Sequence, residues 1–260
     1  MTPTTTPARS ILEDLRGDRS ERPRRDIETA AGLRATLDGE LLAIRPVPAR
    51  TSPLVISAGD VTHHGDAVDI THATSGRLRG TLIGQLIRLV AVGYEIIDPF
   101  DDALRAWRLD NPSPTLMTAY ADLDANGRAR LATDVAAHAT SLRQALGDVP
   151  SAWAVRTAVR ARVPLAGGDV VLHDVLDLVV GSYSDASSST VLLDVTTSPI
   201  GTSAPTLLRF HAFVHCLRTS VVPLRVAIFS TATGELISRD VDAALLELAA
   251  NDVLDVARRA

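Results

Sequence analysis

Lysine is absent from this chain. All 26 basic residues are arginine, so no chemistry here can use a lysine ammonium as nucleophile, Schiff base or phosphate-steadying cation. A GC-rich genome that favours Arg and Ala codons is the plainest source of that bias. Cysteine is nearly absent as well. Cys216 stands alone, which excludes an internal disulfide, a zinc ribbon and a four-cysteine iron–sulfur site, and points to a reducing cytoplasm. Its setting, HAFVHCLRT, reads as a buried small residue on a helix; a catalytic thiol would need a neighbouring base and an open pocket. No apolar run reaches the length of a transmembrane helix, and the N-terminus lacks the apolar core of a signal peptide. An excess of basic charge is missing too. The formal net charge is -5, so there is no global field drawing in nucleic acid, although a local basic groove remains open.

What is present suits one large domain, or a core with a helical lobe: 260 residues, 46% of them hydrophobic. Residues 1–25 are rich in Thr, Pro and Arg and read as a mobile tail. Residues 26–150 read as mostly helical. A short helix is expected near Asp26–Leu37, and Asp38-Gly39 between two apolar runs signals a tight hairpin turn. The segment Pro46–Asp60 is irregular. Leu78, Leu82, Ile83, Leu86, Ile87 and Val90 have helical spacing closed by Gly93, and an Ala-rich helix runs from about Asn126 to Leu146, where Gly147 stops it.

The character changes at residue 151. Val155, Thr157, Val159, Ala161 and Val163 alternate with arginines, the pattern of a half-buried strand. Gly167-Gly168 turns the chain into DVVLHDVLDLVVG, and a polar turn leads to TVLLDVTTS. Then come a helix over Ala204–Arg218, the strand PLRVAIFST, a shorter strand in TGELISRD and a closing helix over Val241–Arg259. Strand, strand, strand, helix, strand, strand, helix is an α/β core with mixed strands over residues 151–260, packing with 26–150 as one compact domain.

Two acids stand inside the apolar strands, Asp177 and Asp194. An ionised carboxylate there is costly unless a cation or donor compensates it. On one edge of one sheet, the pair makes an oxygen site suited to Mg²⁺ or Mn²⁺. The alternative is a pair of strand-end acids capping backbone or meeting arginine. Asp174, three residues before Asp177, falls on the opposite face of an ideal strand, solvated or paired with Arg156 or Arg160. The arginines of the 153–163 strand and of the 77–88 helix form either a phosphate-contacting groove or a solvated face. THHGDAVDITH offers His63, His64, Asp66, Asp69 and His72, read as a polar surface loop in preference to a transition-metal site.

The succession glycine, acid, hairpin, acid, helix, strand resembles the RecB-type branch of the PD-(D/E)XK nuclease superfamily. Asp177 matches the first acid of its motif and Asp194 the second. RLRGTLIGQLI is similar to the family's R-G-x-x-x-H helix, with Gly84 at the His position. Thr196 stands where the catalytic Lys belongs, and Leu207 and His211 replace the family's Gln and Tyr. The resemblance implies a restriction-endonuclease-like mixed sheet flanked by helices. It also implies a metal held by Asp177, Asp194 and the Val195 carbonyl, with Arg156, Arg160 and Thr196 among the binding residues. Two functions follow from it. One is a cytoplasmic DNA- or RNA-binding or scaffolding subunit, joined to a protein partner in a larger assembly, without robust catalysis. The other is a Mg²⁺- or Mn²⁺-dependent phosphodiesterase in which Arg209 or His211 stands in for the lysine. An α/β binding protein unrelated to nucleases is the third reading.

Overall fold

A computed structural model describes residues 10–17, 26–44, 52–62, 70–110, 112–182 and 188–260, with 70–74 described by backbone alone. The helical first part contains α1 (Ile11–Arg16), α2 (Glu28–Ile44), α3 (Ala58–Thr62), α4 (Ile70–Ala91), α5 (Pro99–Leu109), α6 (Pro114–Ala121) and α7 (Ala125–Leu146). A short strand, β1 (Leu54–Ser57), interrupts it. The core follows as β2 (Arg156–Leu165), β3 (Val170–Val180), β4 (Val191–Thr196), α8 (Ala204–Thr219), β5 (Arg225–Ser230), β6 (Leu236–Asp240) and α9 (Ala243–Arg259). The fold is α/β, a mixed six-stranded sheet between two helical layers. Among the described residues no helix is long and apolar enough to cross a membrane.

Each layer follows from one side of the strand pattern. Val170, Leu172, Leu192, Val226 and Ile228 pack with Phe210, Phe213 and Val214 of α8 and with residues of α2 and α9. On the other face Val191, Leu193, Ala227 and Phe229 pack with Leu82, Leu86, Leu142 and Leu146 of α4 and α7. VLLDVT is thus buried on both sides, which is why the run shows no alternation: β4 lies in the sheet interior, antiparallel to β3 and parallel to β5.

The register of β3 shapes the site. β2 covers one edge along residues 170–179. The other edge is shared: β1 pairs in parallel with Val170–His173, and β4 pairs antiparallel with Leu178–Val180. Residues 174–177 are left between them, and Asp177 lies in that gap. The alternation of β3 also inverts here. Val170, Leu172 and Leu176 face the α8 side, but so does Val179, while Leu178 and Val180 face α4 and α7. Ala158, which the register sets opposite Asp177, has φ 48°, an uncommon left-handed conformation for a residue with a Cβ. Both strands switch faces at that point without slipping register.

Three sequence expectations are corrected. Asp38-Gly39 makes no hairpin, for α2 runs straight through it. Leu37 and Leu41 bury one helical turn against the α8-side core, and the Asp38 carboxylate accepts from the Ala166 N–H at 2.8 Å, so tertiary packing overrides the local turn signal. The segment Pro46–Asp60 is not irregular throughout, since Leu54–Ser57 adds a strand to β3. The reading of residues 1–25 as a tail fails for 10–17. Ser10 and Glu13 form a reciprocal capping box, and Leu12 and Leu15 are fully buried against the α4–α7 core. The other tail residues lie outside the described residues.

Candidate metal centre

Asp177 on β3 and Asp194 on β4 stand beside each other where the two strands part. The Val195 N–H, beyond the end of the β3–β4 ladder, donates to Asp177 Oδ2 at 2.8 Å. Burial pushes the Asp177 carboxyl up, and the Asp194 charge adds to this against the Val195 hydrogen bond, to about 8. Without a cation the pair therefore holds a proton at neutral pH. Asp194 is half-buried, with Asp177 and His211 beside its carboxylate.

His211 reaches the acids from α8. Its Nδ1 lies 2.8 Å from Asp174 Oδ2, with both residues 3% exposed. Its Nε2 is buried without a hydrogen-bond partner, 4.0 Å from Asp194 Oδ2. Burial opposes the imidazolium, but Asp174, Asp194 and Asp177 together outweigh it, and the net shift is upward. Asp174 is thus neither solvated nor paired with Arg156 or Arg160. Asp174 stays in phase with Leu172 and Leu176 on the α8 side, and it is Asp177, at the inversion, that ideal period-two counting misplaces relative to it. No sequence signal pointed to it beyond its being an acid in an apolar run.

Arg209 is placed elsewhere. Its Nε and NH2 grip the Asp252 carboxylate on α9, the second at 2.9 Å. Arg156 donates to the Gly181 carbonyl at 2.9 Å and is half-buried. The Thr196 hydroxyl accepts from the Ser198 N–H at 3.1 Å, and its carbonyl from the Thr231 N–H at 2.9 Å, so Thr196 shapes the turn after β4. Cys216 is buried, and burial pushes its thiol up to about 12. His63, His64, Asp66 and Asp69 lie outside the described residues, as does the His72 side chain.

An open cleft of about 400 Å³ joins α4 to β2 and β3; Gly80, Gly84, Arg88, Asp110, Arg160 and Asp177 are among its walls. Arg160 therefore faces a cleft, as the groove reading expected, in the company of an acid. Asp110 is held well below the usual carboxylate range by hydrogen bonds from Arg88 and Gln85. A Cβ built on Gly80 or Gly84 meets nothing within 4 Å, so packing does not demand glycine at either position. A larger cleft of about 510 Å³ lies between α2 and α9, with Glu40 and Glu247 its charged walls among the described residues.

No family model and no curated protein matches this sequence. Among solved structures, the crystal structure of SSO0001 is similar over 86% of this chain and 84% of that one, at 11% identity and a TM-score of 0.32. At that TM-score the similarity bears on neither fold nor function.

Proposed function

We propose that this chain is a degenerate relative of the PD-(D/E)XK nucleases that binds nucleic acid, holds one divalent ion between Asp177 and Asp194, and cleaves poorly or not at all. One observation carries the reading. The two acids meet where β3 and β4 separate, and Gly84, the position where the resembling family has a histidine, lines the same cleft as Asp177. The donor set fits a hard or borderline divalent cation, since two carboxylates crowded together are stable only when a proton or cation sits between them. The Val195 carbonyl is the further oxygen that the resemblance assigns. Such an ion, when bound, would neutralise a nearby phosphate and polarise water.

Weak cleavage follows from what surrounds the acids. Thr196 supplies no charge, Arg209 is occupied by Asp252, and Gly84 contributes no ligand. Loss of one preorganised electrostatic group typically costs about a hundred- to a thousandfold in rate. Arg160 at the cleft supports contact with phosphate. The test is a gel time course with Mg²⁺ and Mn²⁺ on linear, circular and single-stranded DNA and on RNA, beside a metal-dependent DNA-binding assay. Metal-strengthened binding with little or no cleavage is expected; fast turnover abolished by Asp194→Ala would replace this reading with the phosphodiesterase.

A further inference from the structure

We infer that His211 is itself a ligand of the ion, bonding through Nε2 while Asp174 grips Nδ1, and that the ion is a transition metal such as Mn²⁺ in preference to Mg²⁺. This rests on the metal-site reading above and adds to it a nitrogen ligand and a metal class.

Asp174 Oδ2, 2.8 Å from Nδ1, fixes which ring nitrogen carries the hydrogen, because an ionised carboxylate can only accept. In the neutral imidazole Nε2 is then a bare lone pair, and it is buried without a partner. It faces Asp194 Oδ2 at 4.0 Å, too far for a hydrogen bond, so neither atom is satisfied by the other. A cation between them satisfies both. Metal-bound histidines almost always donate their second nitrogen to a carboxylate or carbonyl, which sets the tautomer and aims the ring. Asp174 occupies that place, and its burial leaves it no other evident task.

Among the described residues no three His, Cys, Asp or Glu side chains already close on one point. His211 Nε2 and Asp194 Oδ2 stand 4.0 Å apart. Neighbouring ligands on a six-coordinate ion with bonds of about 2.1 Å sit roughly 3 Å apart and opposed ones about 4.2 Å, so to lie side by side on the ion the two close by about an ångström. Asp194 is the member able to move: no backbone N–H or arginine among the described residues ties down its carboxylate, whereas His211 is held by Asp174 within α8. Imidazole weights the choice towards transition ions, for which nitrogen is a good donor. With its lone pair on the ion, His211 is unavailable as a lysine substitute, in keeping with weak cleavage.

The experiment is pulsed electron-spin resonance on the full chain loaded with Mn²⁺, together with Mn²⁺ and Mg²⁺ titrations by calorimetry. An imidazole nitrogen coupled to the bound Mn²⁺ is expected, present in a His63→Gln/His64→Gln double variant and lost in His211→Gln. Asp174→Asn should weaken Mn²⁺ binding about ten- to a hundredfold. The wild-type spectrum needs no variant to fold. Stoichiometric Mn²⁺ that depends on Asp177 but shows no nitrogen coupling would overturn the His211 assignment and leave the two-acid site standing. No bound ion at all would overturn both. Equal affinity for Mg²⁺ and Mn²⁺ would overturn the choice of metal.

Discussion

His211 Nδ1 and Asp174 Oδ2 stand 2.8 Å apart, joining α8 to β3 at a point where both residues are 3% exposed. A carboxylate in that position is stable only with its partner. Asp174→Ala leaves His211 without its acceptor, and breaking a buried charged pair costs about 3–5 kcal/mol. The expected result, read by urea or guanidinium unfolding, is a loss in that range. A loss under 1 kcal/mol would mean that the pair is solvated in solution.

Arg209 and Asp252 join α8 to α9 on the far side of α8 from the acids' chemistry. Arg209→Ala should destabilise by about 1.5–3 kcal/mol, the range for hydrogen bonds to charged groups, through the lost contact with Asp252. Mn²⁺ affinity measured by calorimetry should stay within about threefold of wild type. A large loss of affinity would return Arg209 to the site.

The core was legible because its signals are local. VLHDVLDLVV and VLLDVT announce buried strands by their apolar runs, and an acid inside each marks Asp177 and Asp194 as costly and therefore purposeful. Gly147 after α7 was equally readable. The nearness of Asp174 to Asp177 was not, because it depends on the inversion at Asp177 opposite Ala158, and no period in the sequence encodes a residue entering the left-handed region. β1 escaped for another reason: Leu54–Ser57 is a short strand whose partner lies more than a hundred residues away. Residues 38–39 misled because a turn dipeptide weighs less than two buried leucines, Leu37 and Leu41. Arg209 and His211 looked equivalent as basic residues on one helix, and only their rotation about α8 separates them.

The carboxyl of Asp177 gives the protein a pH dependence of definite sign. Its native pKa, about 8, lies above the ordinary value, so between roughly pH 4 and 8 the folded state holds a proton that the unfolded state has lost. Metal-free stability contributed by this group is full below that window and falls as pH rises through it, by up to about 1.4 kcal/mol per pH unit. Asp177→Asn removes the titration. Melting curves without metal should show the variant gaining on wild type steadily from pH 5 to pH 8. Parallel curves for the two proteins would show that Asp177 ionises normally.

On the proposed reading, a lysine at position 196 should not by itself bring robust cleavage. Thr196→Lys places an ammonium near Asp194, but α4 still lacks a ligand at Gly84. The cleft has room there, since a Cβ on Gly84 meets nothing within 4 Å. The expected order of cleavage rates on linear DNA with Mn²⁺ is Gly84→His/Thr196→Lys above Thr196→Lys, with Thr196→Lys near wild type. A robust nuclease from Thr196→Lys alone would show that the single missing cation was the only defect.

The most direct measurement is a calorimetric titration of Mn²⁺ into the metal-free full-length chain at pH 7.5, set beside Asp177→Asn and Asp194→Asn, with melting curves confirming that each variant is folded. One ion per chain in the wild type, with proton release on binding and binding abolished in both variants, is the predicted result. No binding by the wild type, or binding unchanged in the two variants, would contradict a metal site built on Asp177 and Asp194.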